Sequence, residues 1–202
     1  MATSHTPTAH GVDYYSGSIP ATFPEALRRA GKTFAMRYLS ETPAKNLSRG
    51  EAEKLAKAGV DVGVVWETAA TRALSGRTGG EQDARTAEGQ AKACGMPPGR
   101  PIYFAVDFDP SPAQLPAIRE YFEGAASVLG KEHTGVYGGF AAVKDCLDSG
   151  VVGFGWQTAA WSGPNVDPRA QLYQHAQQAT IDGVQVDLDD AMHADYGGWK
   201  PV

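Results

Sequence analysis

Apolar positions along the chain follow two alternating rhythms. Short runs with a period of two, or continuous apolar runs of similar length, predict five strands. They lie in "HGVDYY" (His10–Tyr15), "TFAMRYL" (Thr33–Leu39), "VDVGVVWE" (Val60–Glu67), "RPIYFAVDFDPSP" (Arg100–Pro112) and "HTGVYGG" (His133–Gly139). Between them the spacing turns helical. "PEALRRAG" (Pro24–Gly31) has Pro at its start and Gly after its end. "SRGEAEKLAKAG" (Ser48–Gly59) opens on Ser48 with Glu51 three residues on, the pattern of a capping box. Further helices are predicted over about 80–94, Ser111–Gly130 and "FAAVKDCLDSG". Then the rhythm changes. "GFGWQT", "AQLYQHA" and "GVQVDLDD" predict three more strands joined by loops. Eight strands, the first five each followed by a helix, imply an α/β fold: a TIM-like parallel (β/α) barrel with a simplified last third. It would form a single domain over residues 10–202, behind a loose polar tail at 1–9. The alternative is an open doubly wound sheet, but no Gly-x-Gly-x-x-Gly turn follows the first strand.

Strand alternation sorts the side chains. On the fourth strand Tyr103, Ala105, Asp107 and Asp109 share one face, opposite Ile102, Phe104 and Val106. On the third, Gly63, Val65 and Glu67 oppose Val62, Val64 and Trp66. On the eighth, Gln185, Asp187 and Asp189 oppose Val184, Val186 and Leu188. The bulky apolar faces suit the helix layer, and the small or polar faces suit the barrel interior. Asp13, Glu67, Asp107, Asp109 and Asp187 are then expected at the C-terminal strand ends, where barrel active sites sit.

Clustered carboxylates raise one another's proton affinity, so one can donate a proton while a neighbour stays ionised. Such pairs carry out glycoside hydrolysis. Tyr14, Tyr38, Trp66, Tyr137, Trp156 and Trp161 are candidate sugar-stacking residues, and Arg37, Gln157 and Gln174 candidate hydroxyl partners. Structural readings stand beside these. Trp66 falls on the helix-facing side; Arg37 is expected to pair with a mouth acid; Asp189 and Asp190 are expected to be solvated. Asp-x-Asp can hold Mg²⁺ or Mn²⁺, but no histidine spacing or phosphate cradle accompanies it. No metal and no cofactor is expected, and activity should survive chelation. A Gly-x-Ser-x-Gly elbow is absent, and Cys94 and Cys146 read as buried free thiols in helices.

Composition narrows the partners. A net charge of −5, without a run of Lys or Arg, argues against nucleic acid and anionic membranes. No apolar stretch reaches the length of a membrane span. The opening "MATSHTPTAH" shows no signal-peptide pattern. Two locations follow: cytoplasmic until release, as for a phage lysin, or extracellular and wall-bound if a leader has been removed. A monomer is expected.

The order "GVDYYSG", "RYL", "YFAVDFD", "GVYGG" and "YQHAQQATIDGVQVDLDDAM" resembles the glycoside-hydrolase-like domain also called DUF1906, which is similar to the family 25 lysozymes. The resemblance implies a (β/α)5β3 barrel acting on peptidoglycan as an N-acetylmuramidase. It implies that Asp13 is the first-strand acid, that Asp107 and Asp109 fill an Asp-x-Glu pair, and that Tyr137, Gln174 and Asp187 bind substrate. The family's proton donor is Glu, and Asp109 stands in its place. Its oxygen would reach about 1.5 Å less far, a displacement that can cost on the order of 10²-fold in rate. Glu67 is a candidate to supply the missing reach. The alternatives are a non-catalytic wall-glycan-binding module and a structural protein on a degenerate barrel.

Overall fold

The computed structural model describes residues 6–15 and 17–202. Its strands are β1 (Ala9–Asp13), β2 (Phe34–Leu39), β3 (Asp61–Trp66), β4 (Ile102–Val106), β5 (Thr134–Gly138), β6 (Phe154–Thr158), β7 (Leu172–Ile181) and β8 (Val184–Ala191). They close into one barrel in sequence order. Helices α1 (Phe23–Arg29), α2 (Arg49–Lys57), α3 (Gly76–Ala93), α4 (Leu115–Leu129) and α5 (Phe140–Ser149) follow the first five strands. Of the expected tail, positions 1–5 lie outside the described residues. Thr8 and Ala9 already join the sheet, the Thr8 amide donating to the Ala191 carbonyl at 2.8 Å.

The barrel is mixed rather than fully parallel. Strands β1 to β7 pair in parallel, whereas β8 runs antiparallel to both β7 and β1. The cause is local. Asp182 and Gly183 have φ of 49° and 79° and make a two-residue turn, which joins antiparallel strands and is far too short for a parallel crossover. The resulting hairpin extends past the C-terminal end of the barrel. Its outer residues Val184 and Val186 are buried in the helix-side core, and Thr22 at the start of α1 donates to Asp182 at 2.7 Å.

Two apolar layers result from the alternation. The outer layer packs Val12, Ala35, Leu39, Val62, Val64, Trp66, Phe104 and Val106 against the helices. The inner layer fills the barrel with Phe34, Met36, Val65, Tyr103, Ala105, Trp156 and Leu172, and Tyr196 plugs its base. Gly135 and Gly63 make room for this filling. A Cβ at Gly135 would meet the Tyr103 ring at 2.6 Å, and one at Gly63 would meet the Met36 sulfur at 2.3 Å. Above Trp156 the interior turns polar.

Candidate active site at the barrel mouth

Asp13 ends β1 on the interior face and is fully buried. Its carboxylate accepts from the Gln174 side-chain amide at 2.6 Å and from the Tyr38 hydroxyl at 3.1 Å. Tyr137 donates to the Gln174 amide oxygen at 2.8 Å, so that amide has a single workable orientation. Burial pushes Asp13 up to about 6; the Gln174 bond opposes this and the Asp187 charge adds to it.

Asp189 lies deeper, also fully buried, and accepts from Trp156 Nε1 at 2.9 Å. Its second oxygen has no donor among the described residues. Burial, and then the charge of Asp13, hold its proton affinity well above the ordinary range. A protonated Asp189 faces Asp13 closely enough to hydrogen-bond with it, which gives the orphaned oxygen a role as donor. Asp189 is therefore not solvated as expected, because the strand alternation that points it inward overrides the general tendency of acids to be exposed. Asp190 is also largely covered, held between His10 at 2.6 Å and His175 at 2.8 Å on the outer face.

The second group of acids lies across the mouth. Glu67 follows β3 on the interior face and pairs with Lys45 at 2.8 Å. Lys45 comes from the loop after β2 and sits 5.0 Å from the centre of the Tyr38 ring. Asp107 is half-buried just past β4. Burial raises its proton affinity, the Glu67 charge raises it further, and Lys45 partly offsets both. Asp109 is exposed, because β4 ends at Val106 and the interior alternation does not continue through the loop. Among the described residues no hydrogen bond or ion pair engages its carboxylate. Asp187 is half-buried, opposite Asp13 in the β1–β8 ladder, and accepts from Gln178 at 2.7 Å.

Other candidates lie elsewhere. Arg37 is on the outer face of β2, fully buried, with Nε donating to Glu51 at 2.6 Å and a second nitrogen donating to the Tyr14 carbonyl at 2.5 Å. Its acid partner Glu51 is on helix α2 rather than at the mouth. Tyr14 shares this cluster, donating to Glu51 at 2.7 Å. Trp156 is 1% exposed beneath Tyr137, so it forms the floor and offers no face for stacking. Gln157 points outward and holds the loop through the Asn165 carbonyl and the Asp167 amide. Trp66 packs on the helix side, and Trp161 is exposed in the loop after β6, beside Gly139. Among the described residues no group of three His, Cys, Asp or Glu is placed to hold a metal. Cys94 and Cys146 are buried free thiols.

Asp13 links the site to stability. Its folded value of about 6 lies above its ordinary 3.8, so between these pH values the folded state binds more protons than the unfolded. Stability is therefore present at low pH and lost as pH rises through that window, by up to roughly 3 kcal/mol. Asp13→Asn should be more stabilising relative to wild type at pH 7 than at pH 4. Urea unfolding at both values checks this, and an equal change at the two would refute it.

The model of the family described as Rv2525c-like, glycoside hydrolase-like domain matches residues 25–192. The chain belongs to this family. The Mycobacterium tuberculosis protein Rv2525c, whose name assigns it provisionally to the peptidoglycan hydrolases, is 29% identical, with 93% of this chain and 82% of that protein covered. A crystal structure of that Tat-secreted protein with L-tartrate aligns at a TM-score of 0.86 and 28% identity, covering 95% of this chain and 98% of that one. A family 25 glycosyl hydrolase from Bacillus anthracis shares the fold, at a TM-score of 0.62 and 16% identity, with 95% and 94% of the two chains covered. In this Rv2525c-like barrel the mouth acids come from β1, β8 and the residues just past β3 and β4. Lys45 and Asp189 are the additions that the sequence reading missed. The inward alternation on β8 pointed to Asp189; nothing periodic marked Lys45.

Proposed function

We propose that this protein is a peptidoglycan-directed glycosidase of the muramidase type. The observation that carries this reading is the acid pair across the mouth: a half-buried Asp107 of raised proton affinity beside Glu67, which Lys45 holds by an ion pair. An acid of raised proton affinity beside a second carboxylate is the arrangement glycoside hydrolysis uses. Asp107 donates to the departing glycosidic oxygen, Glu67 stabilises the positive charge that develops on the sugar ring, and a water then adds to the anomeric carbon and returns a proton to Asp107. Asp13, fixed by Gln174 and Tyr38, provides a second carboxylate on the opposite wall. In this reading the donor is Asp107 rather than Asp109. The provisional name of the M. tuberculosis relative supports peptidoglycan as substrate, and its export by the Tat route supports action outside the membrane. Reducing-end release from purified peptidoglycan, measured for the wild type and for Asp107→Asn, tests the proposal. No release by the wild type at any pH from 4 to 8 would end the hydrolase reading.

A second reading, a glycan-binding module without catalysis, is favoured by the exposed Asp109 at the family's donor position. It predicts retention on peptidoglycan without release of reducing ends.

A further inference from the structure

Beside the mouth, a groove of about 1020 Å³ runs between the segment after β1 and the projecting β7–β8 hairpin. Tyr38 and Asp187 line the groove and also belong to the mouth, so the two are continuous. One wall presents Tyr15, which is 63% exposed and stands edge-on to Tyr38 at 6.4 Å. A large aromatic ring held open to solvent beside a cleft is a ready stacking surface. The opposite wall is an amide ladder. Gln185 donates to Gln178 at 2.6 Å, and Gln178 donates to Asp187 at 2.7 Å. The ladder fixes both amides, and among the described residues no donor reaches the Gln185 amide oxygen. The wall is rigid, because Val184 and Val186 are buried behind it and Thr22 ties down its tip at Asp182. The charged residues among the described groove lining are Asp182 and Asp187, both acidic.

We propose that this groove binds the continuation of a hexosamine glycan chain seated in the mouth, and that it takes neutral or amino-bearing sugars in preference to anionic ones. The inference rests on the glycan reading of the mouth. Pyranose faces stack on Tyr15; hydroxyl and acetamido groups meet the Gln178 and Gln185 amides; the carboxylates accept from hydroxyl or ammonium donors. A sugar acid would meet two carboxylates, and the neighbouring Lys45, 5.9 Å from the centre of the Tyr15 ring, is already paired with Glu67 at 2.8 Å; like charges in contact select against a ligand.

The test uses the full chain with chitobiose, chitohexaose and peptide-stripped glycan strands of similar length that carry free lactyl carboxylates. Affinities are read by titration calorimetry at pH 7. Chitohexaose should bind about tenfold tighter than chitobiose. Tyr15→Ala and Gln185→Ala should each weaken chitohexaose about five- to tenfold and leave chitobiose unchanged. Both side chains are exposed, so folding is not at stake. The anionic strands should bind more weakly than chitohexaose, and added salt should narrow that gap. Chitobiose binding without any length dependence, or with variants that behave as wild type, overturns the groove and leaves the mouth reading standing. Tighter binding of the anionic strands overturns the charge preference. Failure of every glycan to bind overturns both the groove and the glycan reading.

Discussion

Under the proposed function, Asp107→Asn is expected to lower the kcat of glycan release by about 10³-fold, within the range for loss of a general acid, and to leave KM within about twofold. The amide keeps the size of the side chain but cannot give up a proton to a glycosidic oxygen. Burial, and then the charge of Glu67, raise the proton affinity of Asp107. Protonation of the donor limits the rate on the alkaline side, so that limb of the pH profile should vanish in the variant. Asp109→Asn serves as the contrast. Its exposed carboxylate has no partner among the described residues to orient it, and its removal should change kcat by less than about threefold. If Asp109→Asn loses more activity than Asp107→Asn, the donor role returns to Asp109 and the account of the acid pair falls.

The second large effect concerns folding. Arg37→Met should destabilise the protein by about 3–5 kcal/mol, lowering Tm by roughly 10 °C for a chain of this size. Glu51, Tyr14 and the Lys45 carbonyl all converge on the guanidinium, which also lies 4.2 Å from the centre of the Tyr14 ring. Removal of the cation leaves the Glu51 carboxylate buried with one hydroxyl donor, Tyr14. The paired change Arg37→Met with Glu51→Leu should recover a large part of the loss, because an apolar pair can replace a buried ion pair at little cost. Thermal unfolding of the single and double variants decides. An unchanged midpoint for Arg37→Met would show that the cluster contributes no net stability. Lys45 hangs on the same guanidinium through its carbonyl, so activity should fall with stability in the single variant and return in part in the double.

The barrel and its inner face were legible because strand alternation carries most of the information. Gly63, Val65 and Glu67 do share the interior, and so do Tyr103, Ala105 and the half-buried Asp107. The same rule, applied to β2, turns Phe34, Met36 and Tyr38 inward and Arg37 outward, so the true position of Arg37 was available from the pattern. Asp109 was misplaced because alternation ends where the strand ends. The reversed direction of β8 was signalled by Asp182-Gly183 between two alternating runs, a two-residue hairpin pattern. Ser48 does cap α2, its hydroxyl accepting from the Glu51 amide at 3.2 Å. The other half of the capping box is missing, because the Glu51 side chain turns to Arg37. Lys45 ends a three-residue 3-10 turn, Pro43–Lys45, too short to show a period, and only the folded chain brings it to Glu67.

The filled base of the barrel has a topological consequence. Phe34 stacks on Tyr196 at 4.7 Å, Tyr103 donates to the Tyr196 carbonyl at 2.9 Å, and Phe154 and Trp156 pack edge-on against Tyr103. That plug leaves no tunnel through the molecule. A polymer cannot thread the barrel, and must be approached from the side and held across its open end. If the open end holds a glycan as proposed, nothing in the barrel itself selects the free end of a chain over an interior bond.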